Sequence, residues 1–406
     1  MPAKNPVWGH ALPSALLLMA PFDILASLAM DIYLPIVPIM PAMLETSVAV
    51  IQLTLSLYMV MLGAGQIVFG PLSDRTGRRP VLIGGAALFL LASLGLAASS
   101  NAAVFVALRF LQAAGASACL VATFATVRDV YAERPEGAVI YSLFSAMLAF
   151  VPALGPIAGA LIADQFGWRA IFLTLGLLMA TAFAQAAWRW PETRREAVEV
   201  ARRPAITVLS SYAFWTYTAG FGTAMGSFFV FFSTAPRVLI DRAGYSPLAF
   251  SLAFATAAVA MMVATRFVPG RVESWGRLGC LRRAMATILA GAGLLALGEM
   301  AGAASWWSFL APMWVVAVGI VLAGGVAANG ALQGFDDIAG AAVALYFCVQ
   351  SLMVSVGGTL VVLVLPGDTA WPLVAYAAGM ASLVLLLAGA RREGLSRIDV
   401  ENSSAG

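Results

Sequence analysis

Twelve apolar stretches, each long enough to cross a bilayer, succeed one another along this 406-residue chain. A crossing helix needs about 20 such residues, and the stretches run over 12–36, 49–70, 80–98, 102–127, 138–163 and 168–188, then 212–236, 248–268, 284–303, 306–330, 338–364 and 371–390. Only 11% of the residues are charged and 61% are hydrophobic, too little polar surface to cover a core in water. The 10 Trp and 23 Phe are spread over the whole length, so burial in lipid is a property of the entire chain. The fold class predicted is an all-α membrane protein of twelve transmembrane helices. The first stretch holds Asp23 in its middle and shows no small-residue cleavage pattern behind it, so it reads as a retained helix and not as a leader.

The longest charged stretch, "RWPETRREAVEVARRP" at 189–204, falls between the sixth and seventh crossings. It predicts an N-terminal six-helix bundle over 1–188, a linker over 189–211, and a C-terminal six-helix bundle with a tail over 212–406. An even number of crossings puts both termini on one side. Lys4, Arg75, Arg78, Arg79, Arg128, Arg134, the linker arginines, Arg266, Arg271, Arg277, Arg282, Arg283, Arg391, Arg392 and Arg397 fall on that side, against Arg169, Arg237 and Arg242 on the other. Positive charge stays inside, so termini and linker are expected in the cytoplasm.

The halves echo one another. "GPLSDRTGRRP" follows the second crossing and "PGRVESWGRLG" the eighth, so that Asp74-x-x-Gly-Arg answers Glu273-x-x-Gly-Arg at an offset of 199; Pro35 answers Pro236 at an offset of 201. Two halves repeated in the same orientation are a transporter layout.

Charge inside the crossings is the sharpest functional signal. Asp23 lies about 16 Å from the start of the first helix, near the middle of a ~30 Å hydrocarbon core. Asp23, Ser27 and Asp31 advance by four residues and form one slanted polar stripe. The fourth crossing carries Arg109, by depth nearer Asp31 than Asp23. A charge at helix centre costs about 2.5–3.5 kcal/mol, so these three must face a partner or a water-filled cavity. Asp31 and Arg109 form either a fixed ion pair or part of a proton site; Asp23, with no cation at its level, is the candidate titrating carboxylate. In such a site desolvation disfavours the anion and a nearby Arg favours it, so alternating surroundings load and release a proton. Glu299, near the outer end of its helix, is expected to be solvated. The C-terminal positions equivalent to Asp23 and Asp31 are Ala224 and Phe232, which places proton coupling in the N-terminal half. His10 is the only histidine and Cys119, Cys280 and Cys348 lie far apart, so metal or thiol chemistry is not expected and no cofactor is predicted.

These segments resemble the major facilitator superfamily. "GPLSDRTGRRP" is similar to its loop signature through Gly70, Leu72, Asp74, Arg75, Gly77, Arg78 and Arg79. "RFLQAAGASA" resembles its fourth-helix motif through Arg109 and Gln112, with Ala113 where glycine is usual. "VPALGPIAGALI" resembles its antiporter motif through Gly155, Pro156 and Gly159, with Val151 and Ala160 in place of outer glycines. Over about 12–390, "LLLMAPFDILASLAMDIYLP", "LVATFATVRDVYAERPEG", "GSFFVFFSTAPRVLI" and "DTAWP" resemble the bacterial exporters of chloramphenicol and florfenicol. The resemblance implies a proton-driven phenicol antiporter of the bacterial inner membrane, working by alternating access, with no enzymatic activity and no nucleic-acid partner; a monomer is expected. It also implies a latch in the Asp74 loop, formed with Arg75 and Arg78. Those charges also hold the loop inside, and Gly155-Pro156 reads equally as a structural kink.

A phenicol is a neutral aromatic amide-diol and needs apolar walls with a few hydrogen-bonding groups. Candidates are Asp23, Ser27, Tyr58, Gln66 and Gln112 in the first half, and Phe228, Phe232, Tyr346 and Gln350 in the second. Because Phe228, Phe229, Phe231 and Phe232 span most of a helix circumference, some of them are expected to point at lipid. A broader multidrug or metabolite antiporter is the alternative.

Overall fold

The computed structural model describes residues 8–131, 134–194, 205–302, 305–335 and 338–404, and among these it contains helices and no strand. In chain order the helices are α1 (Leu12–Asp31), α2 (Met40–Met43), α3 (Val48–Thr76), α4 (Arg78–Ala98), α5 (Ala102–Tyr131), α6 (Pro135–Phe166), α7 (Arg169–Arg189), α8 (Tyr212–Pro236), α9 (Pro247–Thr265), α10 (Val268–Met300), α11 (Ala311–Ala331), α12 (Ala339–Leu352), α13 (Gly358–Val364) and α14 (Trp371–Ser404). Of the linker, residues 195–204 lie outside the described residues, as does Lys4; Arg195, Arg202 and Arg203 fall in that segment.

Eleven helical spans among the described residues are long and apolar enough to cross a membrane. The fifth expected crossing, 138–163, lies in the 32-residue α6, where the apolar helix found is the shorter Phe150–Phe166. Helix starts follow elementary capping: Ser47 accepts from the Val50 amide at 3.3 Å ahead of α3, and Ser211 from the Phe214 amide at 3.2 Å ahead of α8. The two prolines at matching offsets both stand where winding changes. Pro35 lies in the 3-10 turn Leu34–Ile36 after α1, and Pro236 ends α8 before the π-helical turn Arg237–Arg242.

The chain divides into two compact units, one of Met1–Ala201 with Tyr245–Ala255, the other of Arg202–Gly244 with Thr256–Gly406. Inside each unit the same close helix contact recurs. In the first, a Cβ on Gly115 of α5 would lie 2.5 Å from the Gly85 carbonyl oxygen of α4; in the second, one on Gly319 of α11 would lie 2.8 Å from the Ala284 carbonyl oxygen of α10. Gly85 and Ala284 are 199 apart, the offset of the loop motif. Absence of a side chain lets each backbone pair approach, the usual way helices adhere in lipid. Gly77 and Gly276, also 199 apart, share positive φ values of 110° and 66°, the left-handed region that favours glycine. The internal repeat is therefore carried by backbone geometry as well as by letters.

Candidate functional site

Asp23 and Asp31 are both buried, and Ser27 between them is half-buried. Asp23 Oδ2 has no hydrogen-bond partner among the described residues. Arg109 of α5 is wholly buried and reaches toward α1. Its Nη1 donates to the Ala29 carbonyl at 3.0 Å and to Gln112 Oε1 at 2.7 Å. Ala29 sits in the last turn of α1, where helical carbonyls run out of amide partners, and the guanidinium supplies the missing donor. Three rings enclose the cation, with its Cζ 4.7 Å from the Tyr58 centroid, 4.9 Å from Tyr33 and 5.9 Å from Phe172.

This arrangement replaces the fixed Asp31–Arg109 ion pair weighed from depth. Among the described residues Arg109 makes no salt bridge; ring faces and a helix-end carbonyl hold it, as cation–π contact permits away from water. Its Nε and Nη2 have no hydrogen-bond partner among the described residues. Gln112 does not stand free for a ligand. Its Nε2 donates to Ser93 Oγ at 2.8 Å, and Ser93 in turn donates to the Phe89 carbonyl at 2.7 Å, so Gln112 ties the arginine to α4. The Tyr58 hydroxyl is likewise engaged, donating to the Ala26 carbonyl at 2.7 Å. Gln66 is half-buried on α3.

The glycines of α6 lie under the charged end of α1. A Cβ on Gly155 would meet Asp31 Cβ at 2.8 Å, and one on Gly159 would meet the Ile32 carbonyl oxygen at 2.0 Å. The neighbouring Pro156 carbonyl accepts from Ser251 Oγ at 3.0 Å within the same unit. These glycines thus seat the Asp31 segment directly, whatever bending the prolines add. Gly159→Ala is expected to cost about 1–3 kcal/mol because the obstacle is backbone that cannot rotate away. A fall in melting temperature together with loss of export would show it; a variant as stable and active as wild type would refute the seat.

The loop between α3 and α4 is built around Arg78. Its Nη1 pairs with Asp74 Oδ1 at 2.6 Å and its Nε with Asp129 Oδ2 at 2.7 Å. Arg75 offers its carbonyl to Arg194 Nη1, and Gly70 lies within α3. The Glu192 carboxylate receives the backbone amides of Arg78 at 2.8 Å, Arg194 at 2.9 Å, Thr193 at 3.0 Å and Arg79 at 3.2 Å. Partial burial pushes its carboxyl up, but the four amide bonds together outweigh this and hold it below the usual glutamate value. A group depressed on folding stabilises above its unfolded pKa and loses that contribution as pH falls through the folded one. The amides at 78 and 79 are therefore expected to keep their protection from hydrogen exchange at pH 5 and to lose it only in stronger acid; loss already by pH 5 would contradict the assignment.

In the second unit, Phe229, Phe231 and Phe232 are all buried and Phe228 is half-buried, with the Phe228 and Phe232 rings 6.4 Å apart. The expectation that some of these rings face lipid fails for the three buried ones because α8 is the most enclosed span: Phe231 packs on Phe309 at 5.7 Å and Phe229 against Gly358. Tyr346 of α12 is buried and stacks on Phe221 at 5.5 Å, its hydroxyl without a partner among the described residues; Gln350 is buried one turn on. Glu299 is not a solvated interfacial residue. It pairs with Arg242 at 2.5 Å and accepts the Ala370 amide at 3.0 Å, because the start of α14 needs an acceptor. Among the described residues no cluster of His, Cys, Asp or Glu could hold a metal.

Asp129, Glu192, Tyr33 and Ser93 were not singled out in the sequence. Asp129 beside Arg128, and Glu192 within the charged linker, look like ordinary loop charge. No signal in the sequence placed Glu192 over Gly77.

The profile of the Major Facilitator Superfamily matches residues 22–358. The chain belongs to this superfamily. Within it, the chain is similar to a chloramphenicol resistance protein of Pseudomonas aeruginosa, 52% identical over 387 residues that cover 95% of this chain and 92% of that one. It is also similar to the multidrug resistance protein MdtL of Escherichia coli, 31% identical over 237 residues, 57% of this chain and 60% of MdtL. As a major facilitator it is a multi-pass membrane transporter, and the superfamily needs no cofactor as a rule.

Proposed function

We propose that this chain exports phenicol antibiotics, chloramphenicol and also florfenicol, from the bacterial cytoplasm in exchange for protons and so confers resistance. The observation that carries the reading is the 52% identity, along nearly the whole of both chains, to a protein named for chloramphenicol resistance. The interior of the first unit supports the proton half. A buried carboxylate with one oxygen unpartnered among the described residues sits on α1, and two residues of the same helix, Ala26 and Ala29, accept bonds from the Tyr58 and Arg109 cluster.

In this reading the molecule has twelve crossings in two six-helix bundles, residues 1–188 and 212–406, joined by a cytoplasmic linker over 189–211. Both termini are cytoplasmic and the protein works as a monomer in the inner membrane. Asp23 carries the exchanged proton, with Asp31 and Arg109 completing the coupling site. Ser27 and Gln66 of the first unit, and Phe228, Phe232, Tyr346 and Gln350 of the second, contact the drug. Tyr58 and Gln112 act by holding α1 and Arg109 in place, since their polar groups are already bonded. Gly70, Asp74, Arg75, Gly77 and Arg78 form the cytoplasmic gate, and Gly155 and Pro156 let α6 follow α1.

The test is accumulation of labelled chloramphenicol in cells with and without the protein, before and after a protonophore. Low accumulation that rises with the protonophore is expected. Equal accumulation in all cells would end the phenicol reading. The similarity to MdtL favours a second reading, a broader multidrug antiporter; resistance extending to unrelated drug classes would establish it.

A further inference from the structure

The linker begins with a carboxylate that export chemistry does not use. Glu192 lies where the chain leaves α7, yet it grips the opposite end of the loop motif, more than a hundred positions earlier in sequence. Its two oxygens hold the first two amides of α4, at Arg78 and Arg79, while the Arg78 side chain bridges Asp74 and Asp129. Gly77 makes room for this grip. Besides its φ of 110°, which favours glycine, a Cβ at this position would lie 2.3 Å from Glu192 Oε2, so a side chain here would displace the carboxylate from its present place. Two more bonds run beside the first set: Arg194 Nη1 donates to the Arg75 carbonyl and Arg79 Nη2 to the Ala187 carbonyl at 2.8 Å. The backbone of Arg78 is thus set by the linker while its guanidinium is set by α3 and α5.

We propose that Glu192 is a positioning residue of the gating loop, which fastens the start of the linker to α4 and thereby places Arg78 between Asp74 and Asp129. The linker's anchor and the Arg78 cluster then form and part together. The proposal rests on the reading of residues 70–79 as a gate, and its test separates the two.

Reconstituted full-length protein is compared as wild type, Glu192→Gln, Glu192→Ala, Asp129→Asn and the Glu192→Ala/Asp129→Asn double variant. Labelled chloramphenicol transport and hydrogen exchange are both followed. Glu192→Ala is expected to lower the maximal rate about tenfold while KM stays within about twofold, since the drug site is untouched. Glu192→Gln, which keeps the size and one acceptor oxygen, should recover part of the rate. On the Asp129→Asn background the loss should be within about twofold of Asp129→Asn alone, because both changes act through Arg78. Exchange should quicken in Glu192→Ala at the start of α4 and also at the last turn of α5, where Asp129 loses its seated partner.

A wild-type rate in Glu192→Ala would overturn the proposal, as would losses that multiply in the double variant. Faster exchange confined to residues 78 and 79 would also overturn it, leaving Glu192 a local helix cap. If wild type moves no phenicol, the substrate reading fails and the exchange pattern alone decides: quickening at both helix ends upholds the positioning role.

Discussion

Cells carrying Asp23→Asn are expected to accumulate labelled chloramphenicol like cells without the protein, with no further rise on adding a protonophore. Asparagine keeps the shape of aspartate and its capacity for hydrogen bonds but exchanges no proton. The loss should therefore fall on coupling and leave the fold intact. Asp23 is buried with one oxygen unpartnered among the described residues, and an unpaired polar atom away from water costs about 1–3 kcal/mol in proteins. In the proposed coupling role that carboxyl exchanges a proton, which a neutral amide cannot do. Proton-driven export should fall more than about tenfold, the equivalent of ~1.4 kcal/mol at the coupling step. Asp31→Asn is the companion variant, since Asp31 lies two turns further along the same face and packs on Gly155. Proton-dependent export surviving in Asp23→Asn but failing in Asp31→Asn would move the exchange site to Asp31.

Arg109→Met is expected to abolish export while the protein still folds and inserts. Arg109 is buried with no carboxylate at ion-pair distance among the described residues, so replacing it by an apolar side chain of similar volume strands no buried opposite charge. Methionine fills the space among the Tyr33, Tyr58 and Phe172 rings but donates nothing to Ala29 or Gln112. Each lost charged hydrogen bond is worth about 1.5–3 kcal/mol, offset by the relief of burying no charge. Melting temperature should thus stay within a few degrees of wild type, on the order of a 1 kcal/mol change. Arg109→Lys is the second arm. A lysine keeps the charge yet cannot present a planar fork to the Ala29 carbonyl and Gln112 together, so export should be impaired here too. Export retained in both variants would reduce Arg109 to a packing residue, and unfolding of both would make it a structural one.

Much of this architecture was legible in the sequence, for reasons local to the chain. The length of the apolar runs, the four-residue advance of Asp23, Ser27 and Asp31, and the matching Gly77 and Gly276 motifs each depend on neighbours within one or two turns. Helical periodicity and insertion cost act over that same range, so a reading of letters could find the crossings, the polar stripe and the repeat. The drug itself was legible only through resemblance, since no periodicity specifies a phenicol.

The tertiary structure alone decided which groups meet. Arg109 stands 80 positions from Ala29, and depth along a helix axis pointed to Asp31 as its partner; in the packed structure it meets a carbonyl and three rings instead. The same kind of choice gave the Tyr58 hydroxyl to Ala26, enclosed three phenylalanines of α8, and brought Glu192 over Gly77. A residue's depth and face follow from the sequence of its own helix. The partner it finds depends on how closely and at what rotation another helix packs, and that is settled by contacts between segments far apart in the chain.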